Sequence, residues 1–140
     1  VQVKLAGDKR HREADMAQTA VKIFEREGEA LESEVLDRAH LARMTFNDRN
    51  LEREVLQLFD RQAELLMQRI RGSEPAAIAI LAHTLKGSAA GIGAGQVARA
   101  AEATELSASR TPRKCSLAIN QLAEAVDEIR GQIATLLQMQ

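Results

Sequence analysis

The sequence has few aromatic residues: Phe occurs three times among 140 residues, and Trp and Tyr do not occur. A hydrophobic core must therefore be built from Leu, Ile, Val, Ala and Met, which favours packed helices over a sheet. The single cysteine, Cys115, excludes an intramolecular disulfide and is compatible with a reducing compartment. No uncharged run reaches the about 20 residues that a membrane-spanning helix needs.

Positive and negative charges are nearly balanced, with a formal net charge of −1 at pH 7. No basic patch is interleaved with aromatic side chains, so the sequence offers no electrostatic basis for binding nucleic acid or an anionic membrane. The opening segment VQVKLAGDKRHREAD has no apolar stretch like that of a secretory signal. We therefore expect a cytoplasmic protein.

Turn and capping residues divide the sequence into helical segments. Pro75 and Pro112, the two prolines, each stand at a first helical position, and Thr111 can cap the helix that begins at Pro112. Apolar residues spaced by three and four predict four long helices, within residues 48–71, 75–91, 96–109 and 112–138. In the first of these helices, two apolar stripes are predicted to be buried, one of them containing Leu58 and Leu65.

Four helices with short connections predict an all-α fold, namely an antiparallel up-down-up-down four-helix bundle. A shorter helix around Leu36 to Met44 is expected to lie across one end. We assign the bundle to residues 34–140 and an N-terminal extension to residues 1–33. The extension has a helical composition, but Gly28 and a dense run of charges argue against one uninterrupted helix.

His83 lies in the stretch AHTLKGSA, within the second long helix. At about 100° per residue, Leu81, Leu85 and Ile92 fall within roughly 20° of the pole opposite His83. Ile78 falls about 140° from His83 and completes the predicted core stripe. His83 is therefore predicted to point away from the core, which disfavours a buried structural histidine.

The outward face around His83 is unusually bare. Apart from Lys86, its residues are small or apolar: Ala76, Ala79, Ile80, Gly87 and Ala90. An ordinary solvated helix face carries Glu, Lys, Gln and Arg. Gly87 costs about 1 kcal/mol relative to Ala in a helix interior, and that cost makes sense if a partner lies close to the backbone there.

The chemistry of His83 and Lys86 favours phosphoryl transfer. A neutral imidazole is a good nucleophile at neutral pH, because the ordinary pKa of histidine is about 6.5. One ring nitrogen can accept a phosphoryl group, and Lys86, one helical turn away, can offset its charge through a hydrogen bond. Such transfer depends mainly on positioning and electrostatic stabilisation, so a partner protein can supply the other half of the reaction.

The segment AHTLKGSAAGIGAGQVARAAEATE resembles the signature of the histidine-containing phosphotransfer (HPt) family, in which H-x-[LI]-K-G-[SA]-[AS] is followed by a glycine and a second helix. The preceding LEREVLQLFDRQAELLMQRI is similar to that family's upstream helix. The resemblance runs from about Leu36 to Leu137 and implies a four-helix bundle. It also implies that His83 is the phosphoacceptor, Lys86 the charge-neutralising residue and Gly87 the gap that admits the partner.

The resemblance further implies that the chain exchanges phosphate with aspartates of response-regulator receiver domains, or accepts it from a hybrid histidine kinase. Mg²⁺ in that reaction belongs to the receiver, so we expect no metal and no cofactor on this chain. The chain has no room for a kinase catalytic domain, and we expect a monomeric phosphorelay intermediate rather than an enzyme.

One residue departs from the family pattern. In the family, a glutamine on the next helix often faces the phosphohistidine. In this sequence the corresponding position falls near Glu105, so a glutamate replaces that glutamine. A carboxylate close to the phosphate would repel it. Either Glu105 turns away, or phosphohistidine is less stabilised in this protein.

Other functions fit the same residues. A helical adaptor or dimerisation bundle could use the bare face without phosphorylation, and a third possibility is the histidine-bearing dimerisation region of a kinase, which the four-helix pattern disfavours. His11, His40 and His83 are too scattered to predict a metal site. The stretch GIGAG lacks the strand before it and the Lys-Ser/Thr after it that a phosphate-binding loop needs, so we interpret it as a helix break.

Overall fold

A computed structural model describes residues 34–139. The predicted N-terminal extension, residues 1–33, lies outside the described residues. Within the described range all regular structure is helical: α1 (Arg38–Met44), α2 (Arg49–Arg71), α3 (Pro75–Ile92), α4 (Gly95–Arg110), a 3₁₀ turn (Pro112–Lys114) and α5 (Cys115–Met139). The predicted all-α class and the short helix before the long ones are confirmed. None of these helices is both long and apolar enough to cross a membrane.

The helix ends lie close to the capping residues in the sequence. The Asp48 side chain accepts hydrogen bonds from the backbone N–H groups of Asn50, at 2.9 Å, and Leu51, at 3.1 Å, and so caps α2. Pro75 begins α3, where its missing N–H is not needed. Gly93 ends α3 in the left-handed region, with φ of 89°.

The beginning of α5 differs from the prediction. Pro112 starts a 3₁₀ turn, closed by a 2.9 Å bond from the Lys114 N–H to the Thr111 carbonyl, and the α-helix begins only at Cys115. The Thr111 side chain makes no capping bond. A proline at the first position supports a 3₁₀ turn as well as an α-helical turn, so the sequence pattern does not separate the two.

The four long helices pack in a ring around one core. α3 contacts α2 and α4, and α5 also contacts α2 and α4. Every helix contributes fully buried side chains: Leu41, Leu56, Ile70, Leu85, Val97, Leu122, Ile129 and Ile133. Truncating one of the large aliphatic residues to Ala typically costs about 2–5 kcal/mol, so this largely aliphatic core, in which Phe59 is also buried, accounts for much of the stability.

Small side chains let α4 lie close to its neighbours, as the sequence predicts. Its buried residues are Val97, Ala101, Thr104 and Ala108. The Thr104 hydroxyl lies 2.9 Å from the Ala100 carbonyl oxygen and 3.2 Å from that of Ala118 in α5. The hydroxyl therefore has partners within the core, and it also joins α4 to α5.

The prediction that α2 buries two apolar stripes is wrong for Leu58 and Leu65 of one stripe, whereas Leu51 and Val55 of the same stripe are half-buried. Leu58 and Leu65 are 60% and 58% exposed. On another side of α2, Arg130 of α5 lies 2.8 Å from Asp60 and 3.0 Å from Glu64. Because α2 packs between α3 and α5, it fully buries only the stripe that faces the core, and the second stripe runs from a half-buried edge to the exposed surface.

Two hydrogen bonds, one from a backbone N–H and one from a side chain, attach α1 and the residue before it to the end of α3. The Asp37 N–H donates to the Gly93 carbonyl at 2.9 Å, and His40 Nε2 lies 3.0 Å from the Gly91 carbonyl oxygen. A Cβ on Gly93 would approach the Asp37 carbonyl oxygen to 2.9 Å. Glycine is therefore required at position 93 by close approach as well as by its positive φ.

Candidate functional site

His83 lies on the solvent side of α3, with 64% of its side chain exposed. The opposite side of α3 carries its buried residues: Ile78, Ala82, Leu85, Ala89 and Ile92. The predicted core stripe is therefore largely confirmed. Leu81, predicted as part of it, is only half-buried, whereas Ala82 and Ala89 are fully buried.

The imidazole of His83 is held by a residue of the next helix. Its Nδ1 lies 2.9 Å from Oε2 of Glu105 in α4. A carboxylate can only accept a hydrogen bond, so Nδ1 carries the proton and the neutral ring has its lone pair on Nε2. No hydrogen-bond partner for Nε2 is found among residues 34–139. The lone pair of Nε2 is therefore left without a partner among these residues, on a side chain that is mostly exposed.

Lys86 binds the same carboxylate group. Its Nζ lies 3.2 Å from Oε1 of Glu105 and 4.0 Å from Oε1 of Glu102. Lys86 is one helical turn from His83 and is half-buried, so its ammonium group is directed toward α4. Glu105 thus bridges the two cationic or potentially cationic groups of α3.

The electrostatic surroundings keep Glu105 ionised. Burial alone would raise the pKa of its carboxyl, but hydrogen bonds from Lys86 and His83, together with their charges, hold that pKa below its ordinary value. Of the two alternatives raised by the sequence, the one in which Glu105 turns away from His83 is wrong. A carboxylate stands directly beside the imidazole.

The surface around His83 is mostly bare. Ala76, Gly87 and Ala90 are exposed, and Ile80 is 69% exposed. Ala79, also predicted on this face, is half-buried and packs against the core. A Cβ added to Gly87 would meet nothing within 4 Å. Nothing in the described fold therefore requires glycine at that position.

The other candidates from the sequence do not form a second site in the described range. No group of three or more His, Cys, Asp or Glu side chains there could hold a metal ion. His40 is bonded to the backbone of α3, and His11 lies outside the described residues. The stretch GIGAG spans the end of α3 and the beginning of α4, so its interpretation as a helix break is confirmed.

Sequence reasoning raised Glu105 as a neighbour of His83 but left its orientation open, and it did not predict the position of Glu102. Glu102 and Glu105 are three residues apart, a spacing that places them on one face of α4. From that spacing the sequence could have predicted an acidic face on α4 that contains both glutamates. Which helix this face meets depends on the rotation of α4 in the bundle, and periodicity within one helix does not determine it.

Comparison with known proteins identifies the class. A family model described as Hpt domain matches residues 49–138, more than half of the chain. The chain therefore belongs to the Hpt domain family. Among curated protein sequences, none matches this chain.

Two solved structures are similar in fold. Histidine-containing phosphotransfer protein B (HptB) from Pseudomonas aeruginosa PAO1 has a TM-score of 0.71 at 20% identity, covering 77% of this chain and 98% of its own. A rice protein provisionally described as a histidine-containing phosphotransfer protein has a TM-score of 0.68 at 18% identity, covering 87% of this chain and 93% of its own. At these identities the likeness concerns the fold alone.

Proposed function

We propose that this chain is a histidine phosphotransfer protein that accepts a phosphoryl group on Nε2 of His83 from receiver-domain aspartates and passes it to others in a multistep phosphorelay. The observation that carries the proposal is the exposed imidazole, with Nδ1 bonded to Glu105 and Nε2 open to solvent. Membership of the Hpt domain family supports it.

The transfer step needs no atom from outside the two proteins. The Nε2 lone pair attacks the phosphorus of an aspartyl phosphate on the receiver, in line with the P–O bond to the aspartate. That bond breaks, its electron pair returns to the aspartate carboxylate, and a P–N bond to His83 forms. The return transfer reverses these changes. Such a step gains most from alignment and charge stabilisation, which a rigid helix surface can provide.

Lys86 is proposed to stabilise the transferred phosphoryl group. Its ammonium group now lies 3.2 Å from Glu105, one helical turn from the imidazole. Lysine has three donors on a flexible stem, so it can keep one bond to Glu105 while it donates another to a phosphoryl oxygen. The phosphoryl dianion thereby gains a cation on the α3 side.

The receiver is proposed to dock on the bare surface around His83, formed by Ala76, Ile80, Gly87 and Ala90 with Ala79 at its inner edge. Small side chains on a convex helix let a partner bring its aspartate close to Nε2, and Ile80 offers an apolar contact. This surface could serve either a response regulator or the receiver of a hybrid histidine kinase.

The same proposal defines what the chain does not supply. Mg²⁺ would come with the receiver, and the chain acts as a phosphate carrier without a metal or cofactor of its own, not as an enzyme. We propose a monomer that works in the cytoplasm without binding nucleic acid or membrane. His83, Lys86 and Glu105 come from one chain, which supports the monomer.

We also propose an antiparallel up-down-up-down order for the four long helices, consistent with their ring of contacts.

A transfer assay with two histidine variants tests the function. After incubation with a phosphorylated receiver domain, the wild-type chain is expected to carry an acid-labile, base-stable label. His83→Gln is expected to lose it, and the matched control His40→Ala is expected to keep it, because the His40 ring is bonded to the backbone carbonyl of Gly91. Equal labelling of His83→Gln would contradict the assignment. A receiver that binds without labelling the wild-type chain would instead favour the adaptor function.

A further inference from the structure

The connection between α4 and α5 carries positive charge without the negative charge that balances it elsewhere. Between Glu105 and Glu124 the sequence has three cations, namely Arg110, Arg113 and Lys114, and no Asp or Glu. We call these three residues the cationic junction. All three are exposed, and none makes an ion pair in the part of the chain that the structure describes. Because acidic and basic residues are nearly equal in number in the whole chain, the junction is a local excess of charge.

Two residues of the cationic junction stand where helix electrostatics is unfavourable. Arg110 ends α4, where the partial negative charge of the helix terminus favours a cation. Arg113 and Lys114 directly precede Cys115, the first residue of α5, and this end of a helix carries partial positive charge. The first turn of α5 has no acidic residue that offsets them. Helix stability therefore does not explain why cations occur at positions 113 and 114.

The cationic junction lies within reach of a protein that docks at His83. The His83 ring is 2.9 Å from Glu105, and Arg110 follows Glu105 at about 7.5 Å along the axis of α4. The 3₁₀ turn that contains Arg113 and Lys114 contacts α4. A specific interface covers about 800 Å² on each partner, or a disc of about 16 Å radius, so an interface centred on His83 extends to the junction.

Two exposed leucines accompany the cationic junction. Leu106 of α4 is 43% exposed and lies one helical turn before Arg110, and Leu117 in the first turn of α5 is 66% exposed. The two helices are in contact at this level, where the Thr104 hydroxyl lies 3.2 Å from the Ala118 carbonyl oxygen. Exposed apolar side chains beside arginine are typical of a protein interface.

The same residues do not favour a membrane or a nucleic acid as the partner. Lipid-binding basic clusters usually contain about 4–8 Lys or Arg residues, and the cationic junction has three. No aromatic residue lies between Leu106 and Leu117 to stack on a base. A protein with an acidic surface is the partner whose chemistry the junction matches.

We propose that the cationic junction is a second contact surface for the receiver domain, which attracts an acidic surface beside the phosphorylated aspartate of the receiver and speeds its association. The inference rests on the proposed function, because the partner is the receiver that docks at His83. It adds to that function a surface outside the histidine helix and the class of receiver that the chain prefers, namely one that is acidic around its phosphorylation site.

The charges around His83 explain why such an attraction is needed. An aspartyl phosphate is anionic, and it must approach a histidine that has Glu105 at 2.9 Å. Lys86 is the one cation bonded to that carboxylate, and it is shared with Glu102 at 4.0 Å. The two carboxylates therefore oppose an anionic partner, and the cationic junction on the same side of α4 and α5 supplies the attraction that raises the rate of encounter.

A double charge reversal tests the contact. Arg113→Glu together with Lys114→Glu replaces the two cations that helix stability does not explain, and it leaves the groups around His83 in place. The second-order rate constant for transfer from a phosphorylated receiver is measured between about 20 mM and about 500 mM NaCl, together with the maximal rate at saturating receiver. The conservative exchange Arg113→Lys with Lys114→Arg keeps both charges and is expected to follow wild type.

Arg38→Glu together with Arg49→Glu is the matched control. Each of these exposed arginines is the first residue of a helix, so both double variants exchange two cations for two carboxylates at the start of helices. Arg38 and Arg49 line a cavity with Leu136 and Met139 at the end of α5, away from the cationic junction at its beginning. The control is expected to transfer like wild type.

The expected result is a salt-dependent loss in the junction variant alone. At about 20 mM NaCl its second-order rate constant is about tenfold below that of wild type, and the two converge at about 500 mM, where salt screens the attraction. The maximal rate is unchanged, because the reacting groups are untouched. The melting temperature is expected to rise in both double variants, since carboxylates are favourable at the start of a helix, so slower transfer does not reflect unfolding.

The possible outcomes separate the inference from the proposed function. If the junction variant matches wild type at low salt, or if the control slows equally, the inference is overturned and the proposed function stands. If wild type binds vesicles of phosphatidylcholine and phosphatidylglycerol, and the junction variant loses that binding but not transfer, the junction serves a membrane and the inference is again overturned. If wild type takes no label on His83, the proposed function fails, and the inference fails with it.

Discussion

Two histidines of this chain lie on helices and use one ring nitrogen each, but in opposite ways. His40 is half-buried, and its Nε2–H donates at 3.0 Å to the backbone carbonyl of Gly91. His83 is 64% exposed, and its Nδ1–H donates at 2.9 Å to the carboxylate of Glu105. The first bond satisfies a carbonyl at the end of α3 and helps attach α1. The second places the proton of an exposed ring on Nδ1 and leaves Nε2 as the proposed nucleophile.

The comparison shows how the surroundings of His40 and His83 differ, and it supports the proposal that His83 is the reactive one. Exposure alone does not do so, since many exposed histidines have no function. The useful features are the charge of the acceptor, the nitrogen that remains open, and the surface around it. His83 has a charged acceptor, an open Nε2 and a bare surrounding face, whereas His40 has a neutral acceptor next to the crowded Gly93.

Filling the space beside His83 is expected to have the largest effect. Gly87→Leu places a bulky side chain on the proposed docking surface, and misplacing reacting groups by about 1 Å can slow a transfer by about a hundredfold. The fold is expected to tolerate the change, because a Cβ at Gly87 meets nothing within 4 Å. The measurement is the rate of label transfer from a phosphorylated receiver, together with thermal melting.

Gly131→Leu is the matched control for that experiment. Gly131 is likewise exposed in a helix with no atom near its Cβ, but it lies on α5, which packs against α2 and α4. Transfer by this variant is expected to match wild type. Both variants are expected to gain up to about 1 kcal/mol of stability from replacing a helical glycine. Unimpaired transfer by Gly87→Leu would refute docking at this surface.

Lys86→Ala is expected to have an intermediate effect. It removes the cation proposed to stabilise the phosphoryl group and one of the two partners of Glu105. We expect transfer about tenfold slower or a shorter-lived phosphohistidine, because one charge-assisted hydrogen bond is worth about 1.5–3 kcal/mol at most, less where solvent screens it. The fold is expected to be unchanged. An unaltered rate and lifetime would remove Lys86 from the mechanism.

His40→Ala is expected to have the smallest effect, and only on stability. It removes the bond to the Gly91 carbonyl, which typically contributes about 1 kcal/mol. Urea denaturation gives the free energy of unfolding, and transfer is measured on the same sample. A large loss of transfer in a folded His40→Ala protein would show that the contrast between the two histidines is wrong.

Much of the fold follows from periodicity within single helices. The spacing of apolar residues located all four long helices, and about 100° per residue placed His83 opposite Leu85. What periodicity misses is the rotation of one helix against another. The exposure of Leu58 and Leu65 and the bond from Glu105 to His83 both depend on that rotation. The 3₁₀ turn at Pro112 was missed for another reason, because proline fits both kinds of turn.

The most direct test of the central claim is to locate the phosphoryl group on the chain. After transfer from a phosphorylated receiver, the chain is digested under alkaline conditions that preserve phosphohistidine and sequenced by mass spectrometry with electron-based fragmentation. The account predicts the phosphoryl group on His83, with none on His40 or His11. A phosphoryl group on either of those residues, with His83 unmodified, would contradict it.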